Sequence, residues 1–210
     1  MLAPTLFGAK VQADIAGIVA AAFDRMRREM DIEVVGTGVD WPDPVGIFDR
    51  LWTARGGAYH GLSGEDLAKL EPGYARLVER SRSITLADHL RALQDRAAFN
   101  RRAEESFRDF DLLVTPMVPI DPFAAGDDGP PGMDLSAPVP WARWTPFSYP
   151  FNITGQPAAS IPCGWSEAGL PVGLQVVGRR FDDALVLRFC AAWERLFDWR
   201  SRRPAVFAGA

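Results

Sequence analysis

The chain has 210 residues, 48% of them hydrophobic and 24% charged, which is enough apolar material for a core and excludes disorder along the whole length. Its 23 basic and 27 acidic residues give a net charge of -4 and a pI near 5.2. With no global positive field, neither nucleic acid nor an anionic membrane is an expected partner.

Residues 11 to 30 place Val11, Ile15, Ile18, Val19, Ala22, Phe23, Met26 and Met30 at steps of three and four, the pattern of an amphipathic helix. Ile32-Glu33-Val34-Val35, closed by Gly36 and Gly38, reads as a short strand. Pro44 can occupy the first turn of a helix bearing Val45, Phe48, Leu51 and Trp52, which Gly56-Gly57 stops, and Pro72 can open another through Leu77 and Val78. Thr85-Leu86-Ala87-Asp88 has capping-box spacing. It begins the longest helix, which carries Leu86, Leu90, Leu93, Ala97 and Phe107 at helical intervals and runs to about Arg108. Asp111-Leu112-Leu113-Val114-Thr115-Pro116 is then a buried strand that proline stops. The proline-rich stretch 116 to 142 is a loop, clearest at Asp127-Asp128-Gly129-Pro130-Pro131-Gly132.

From Trp144 to Gly178 the one charged side chain is Glu167, yet the prolines at 146, 150, 157 and 162 forbid a membrane helix. A buried pair of strands, around Ala158 to Pro162 and Val172 to Val177, fits, joined by a turn at Glu167 to Pro171. A last helix starts at Phe181-Asp182-Asp183, with carboxylates at the positive end of its dipole, and carries Leu185, Phe189, Ala192, Trp193 and Leu196. The order of elements predicts an α/β fold, a mixed sheet flanked by helices.

Few residues are placed for chemistry. His60 sits in a glycine loop and His89 in the first turn of a long helix, there is no GxSxG elbow, and both histidines read as structural. Gly36-Thr37-Gly38 lacks the third glycine and the helix of a phosphate cradle. The pairs Asp127-Asp128 and Asp182-Asp183 read as a solvated loop and a helix cap. Cys163 and Cys190 have no CxxC spacing and lie near neither histidine, so no metal cluster is expected. Two free thiols suit a reducing cytosol, and MLAPTLFGAK lacks the basic and apolar runs of a signal peptide, so a cytoplasmic location is expected. The aromatics Trp141, Trp144, Phe147, Tyr149 and Phe151, interleaved with Thr145, Ser148 and Asn152, suit either a pocket wall or plain core.

Phe151-Asn152-Ile153-Thr154-Gly155-Gln156-Pro157-Ala158-Ala159-Ser160-Ile161-Pro162-Cys163-Gly164, followed by Gly169-Leu170-Pro171-Val172-Gly173-Leu174-Gln175-Val176-Val177-Gly178-Arg179, closely resembles the C-terminal signature of the amidase signature family. Its members include bacterial amidases and the A subunits of tRNA-dependent amidotransferases. The strand at 111 to 116 and the helix from Phe181 to Glu194 also resemble family elements in order and spacing. The resemblance is strong over 111 to 197 and weak over 1 to 110. It implies the C-terminal portion of that fold, with residues 1 to 210 forming a partial amidase signature domain, and hydrolysis of a carbon-nitrogen bond in a non-peptide carboxamide.

The family's chemistry rests on a serine nucleophile, a second serine and a lysine in a Gly/Ser-rich stretch of the N-terminal half. Here no two serines are adjacent, and neither Lys10 nor Lys69 matches the family lysine. No catalytic residue carries over, the N-terminal catalytic half is expected to be absent, and the chain alone is expected to be inactive. Three histories fit: a truncated reading frame, half of a split enzyme, or a non-catalytic relic. The resemblance implies no metal or organic cofactor, and a small-molecule amide as substrate once an N-terminal half completes the site. Its pocket wall is expected at Thr115, Met117, Trp144, Thr145, Phe147, Ser148 and Asn152. An unpaired sheet edge would drive association, so a homodimer is also expected.

Overall fold

The computed structural model describes residues 1–127, 129–134, 139–199 and 202. The helices are α1 (Ala13–Glu29), α2 (Val45–Ala54), α3 (Gly64–Leu67), α4 (Pro72–Ser81), α5 (Leu86–Ser106), α6 (Tyr149–Thr154) and α7 (Asp183–Leu196). The strands are β1 (Leu112–Pro116), β2 (Ala158–Trp165) and β3 (Pro171–Gly178). Asp128, in the expected loop, lies outside the described residues.

β3 is central, pairing antiparallel with β1 on one side and β2 on the other. The β2–β3 hairpin closes through Ser166, whose carbonyl accepts from Gly169 N at 2.8 Å, and Gly169 has φ 75, a left-handed conformation that glycine adopts without steric cost. The mixed sheet expected from the sequence is thus antiparallel in its three strands. Its parallel component is one bridge, Leu2 to Val114, in which Ala3 N donates to Val114 O at 2.8 Å.

The strand expected at Ile32 to Val35 does not form. The segment alternates in exposure, but its link to the residue 1–3 segment is a single backbone bond, Leu2 N to Gly36 O at 3.2 Å. β-branched residues favour extended backbone, and a strand also needs a partner ladder.

Because side chains alternate along a strand, the sheet has two distinct faces. Val114, Ile161, Val172, Leu174 and Val176 meet Ile15, Val19 and Phe23 of α1 and Val186, Phe189 and Trp193 of α7. Leu113 and Val177 join the second core, with Phe99, Ala103 and Phe107 from the α5 region and Phe147, Phe151 and Ile153 around α6.

α5 begins with the full capping box: Asp88 N donates to Thr85 Oγ1 at 3.1 Å and Thr85 N to Asp88 Oδ2 at 3.1 Å. Its buried side is not the leucine stripe that the sequence spacing suggests. Leu86, Leu90 and Leu93 are 72%, 51% and 39% exposed and Ala97 is exposed, while Ala92, Phe99 and Ala103 are buried. Two alanines flanking one phenylalanine let α5 approach its neighbours closely, and Arg96 on an adjoining row ties it to α6 through Ile153 O at 2.8 Å. Among the described residues no helix is long and apolar enough to cross a membrane.

Candidate functional site

The C-terminal end of β1 is where polar groups enter the sheet's second face. Thr115 and Gln175 are cross-strand neighbours, 0% and 3% exposed, in a stretch otherwise made of valine and leucine. Gln175 Nε2 donates to Phe147 O at 2.6 Å and to Thr115 Oγ1 at 3.3 Å, and Thr115 Oγ1 donates to Pro116 O at 2.7 Å. Buried polar groups persist when satisfied in this way. The amide of Gln175 thereby fixes the backbone entering α6 against the sheet.

Beyond Pro116, Met117 N donates to Gly173 O at 2.9 Å. A Cβ on Gly173 would stand 3.1 Å from Ser160 Oγ and 3.2 Å from Met117 Cβ, so glycine is what lets these two side chains approach across β3. The structure therefore gathers Thr115, Met117, the Phe147 backbone, Ser160, Gly173 and Gln175 at one end of the sheet. Ser160, Gly173 and Gln175 are the members that the sequence did not single out, and the signal for Gln175 was present: a lone amide among the apolar residues of a buried strand.

The other expected wall residues spread out along the chain that follows the loop. Phe147 has a fully buried side chain. Trp144 is half-buried and packs edge-on against Phe123, ring centroids 5.3 Å apart. Thr145 Oγ1 donates to Trp141 O at 3.0 Å and Ser148 Oγ to Thr145 O at 3.2 Å, which are local turn bonds. Asn152 is exposed on the far side of α6, where it lines a cavity of about 470 Å³ with Phe48, Leu51, Trp52, Arg55, Arg96 and Ile153. A larger cleft of about 750 Å³ runs between the residues 30–35 segment, the start of β1 and α7.

Among the described residues no nucleophile is activated. Among the described residues no serine hydroxyl contacts a lysine. Lys69 pairs with Asp66 at 3.1 Å and Glu65 at 3.5 Å on the surface, and Lys10 is exposed. His60 Nε2 does meet Ser81 Oγ, at 2.6 Å, a pairing that the sequence did not reveal. Ser81 is 3% exposed and its hydroxyl donates to Val78 O at 2.6 Å, so it has no access to a substrate carbonyl and its proton is already directed to the helix backbone. Burial pushes the Cys163 thiol up to about 12 and raises Cys190, where Glu194 adds to the effect, and thiols so placed stay protonated and inert. Burial, reinforced by the 2.6 Å hydrogen bond to Asp43, holds the Tyr149 phenol far above its ordinary range. Among the described residues no three His, Cys, Asp or Glu side chains converge as a metal site.

Comparison with known proteins places this architecture. The amidase family model matches residues 71–187. The glutamyl-tRNA(Gln) amidotransferase A subunit of Chloroflexus aggregans is 40% identical over 118 residues, 56% of this chain and 23% of that protein. Its counterpart in Thermodesulfovibrio yellowstonii is 38% identical over 122 residues, 57% of this chain and 24% of that protein. Among solved structures, 6-aminohexanoate cyclic dimer hydrolase superposes with a TM-score of 0.77 at 22% identity, covering 98% of this chain and 46% of that one. An amidase superposes with a TM-score of 0.81 at 19% identity, covering 94% of this chain and 45% of that one. The chain thus spans less than half of the solved proteins it resembles and about a quarter of the curated relatives. With the family model matched across more than half of its length, the chain belongs to the amidase signature family.

Proposed function

We propose that this chain supplies the sheet and one pocket wall of a hydrolase that cleaves the carbon-nitrogen bond of a non-peptide carboxamide, with the nucleophile and base contributed from outside these 210 residues. The observation that carries this reading is the combination of a family match over residues 71–187 with the absence, among the described residues, of any serine–lysine contact. A hydroxyl nucleophile needs a proton acceptor within hydrogen-bond reach, and among the described residues the serine that meets a histidine, Ser81, is buried. The wall is built on Thr115 and Met117 at the end of β1 and on the segment from Trp144 to Ser148, with the Gln175 amide setting the position of Phe147, whereas Asn152 faces the separate cavity on the far side of α6. The substrate is a small amide whose acyl group lies against that wall.

The test is turnover of simple amides, with fluorophosphonate labelling of serines. The purified chain gives neither, since loss of a whole nucleophile and base unit costs ~10⁶ in rate. Mixing it with the N-terminal half of a family member restores both. One labelled serine in the chain alone, with matching turnover, overturns the proposal. Identity of 40% to an amidotransferase A subunit favours a second reading, in which the completed protein passes ammonia released from an amide to an acceptor. Ammonia retained when a second protein subunit is present, rather than released into solution, distinguishes it.

A further inference from the structure

The cavity between α2, α5 and α6 has chemistry of its own. Its volume of about 470 Å³ falls within the range of small-molecule sites. Phe48, Leu51, Trp52 and Ile153 give it an apolar lining, and Arg55, Arg96 and Asn152 complete it.

Those two arginines differ from several of their neighbours. Arg80 of α4 pairs with Asp49 of α2 at 2.9 Å, Arg50 of α2 with Asp95 of α5 at 3.7 Å, and Arg102 of α5 with Asp40 at 2.8 Å. Among the described residues neither Arg55 nor Arg96 has a carboxylate partner. Arg55 lies over the Trp52 ring, 4.8 Å from its centroid, a contact that occupies the face of the guanidinium and leaves its N–H edge free to bind. Arg96 spends Nε on Ile153 O and keeps its terminal nitrogens. Arg55 is exposed and Arg96 half-buried at the edge of the cavity, and the planar fork of arginine matches a carboxylate in two-point hydrogen bonding.

We propose that this cavity binds a small carboxylate with an apolar body, the carboxylate held by Arg55 and Arg96 and the body seated against Trp52 and Leu51. The site does not depend on the amidase reading, because it is built entirely from residues of this chain and needs no reaction.

Calorimetric titration of the 210-residue chain with phenylacetate, and with phenylacetamide as its uncharged counterpart, tests it. Phenylacetate saturates one site, and phenylacetamide binds at least about tenfold more weakly, because a hydrogen bond to a charged group is worth roughly that factor. Arg55→Gln weakens phenylacetate about tenfold while leaving the thermal transition in place. Arg55 is the informative arginine, since Arg96→Gln also removes the bond to α6. Leu51→Trp fills the cavity and abolishes binding. Failure of phenylacetate to saturate at millimolar concentration, equal affinity for the acid and the amide, or affinity unchanged in both variants overturns the proposal. Since binding is read without turnover, a failed titration leaves the amidase reading standing, and inactivity with amides leaves the site standing.

Discussion

The two faces of the β1-β3-β2 sheet are both roofed by helices, yet they are finished differently. Under α1 and α7 the strands present the apolar side chains of Val, Leu, Ile, Ala and Cys, and the polar contact made there, Trp193 Nε1 donating to Pro162 O at 2.8 Å, satisfies a carbonyl of the sheet. Under α5 and α6 the sheet starts in the same way, with Leu113 and Val177, and then turns polar at Thr115, Gln175 and Ser160. The first face is held by area and shape. The second depends on hydrogen bonds that position a backbone, and a fold uses such bonds where the geometry of a wall matters more than its burial. The difference shows how one hairpin can be core on one side and candidate site on the other.

The sharpest way to break this comparison is to empty the apolar face. Trp193 is 1% exposed, and Trp193→Ala leaves a cavity and an orphaned Pro162 carbonyl. The expected loss is ~3 to 5 kcal/mol, measured by urea unfolding. A loss below that of the polar-face variant described next would show that area does not hold this side.

On the second face Gln175→Leu keeps the volume and removes both donated bonds. The expected cost is ~1 to 3 kcal/mol, the penalty for stranding a buried acceptor at Phe147 O. A neutral or stabilising result would mean that the amide serves no positioning role. The same variant in a completed enzyme is expected to change acyl selectivity, because the segment carrying Phe147, Ser148 and Asn152 is no longer pinned.

Much of this was legible in the sequence. Thr85 and Asp88 announced the start of α5, Pro72 that of α4, and the uncharged stretch from Trp144 to Gly178 the hairpin, because caps, prolines and charge exclusion act through neighbours in the chain. What stayed hidden depends on distant partners. Ile32 to Val35 has strand composition and too little partner edge. The leucine stripe of α5 has helical spacing, and helix packing chose the alanine-flanked side. Gln175 was visible as an oddity, but its partner at Phe147 was set by the loop that brings α6 over the sheet.

The cap on α5 gives a smaller effect. Thr85→Ala should cost about 1 kcal/mol at neutral pH. The hydrogen bond from the Thr85 side chain, followed by that from its backbone N–H, holds the Asp88 carboxyl below the ordinary carboxylate range. A depressed folded value means a contribution present above the unfolded pKa near ~3.9 and lost as pH falls through the folded one. The gap between wild type and Thr85→Ala should therefore narrow in acid, in thermal melts run from neutral pH downward. A gap that widens in acid would contradict the assignment.

The smallest effect expected is the most instructive about α5. The spacing puts Leu90 on the core stripe and does not single out Phe99, and the structure reverses this, with Leu90 at 51% exposure and Phe99 at 4%. Phe99→Ala should cost ~3 to 5 kcal/mol, whereas Leu90→Gln, an exchange at the surface, should stay within about 0.5 kcal/mol. If Leu90→Gln instead approaches the cost of Phe99→Ala, the stripe of Leu86, Leu90 and Leu93 is covered in solution by a surface other than the described residues. Repeating the melt over a range of protein concentrations then decides its nature. A penalty that grows with concentration means that α5 packs against a second copy of the chain, because only self-association ties stability to the amount of protein present.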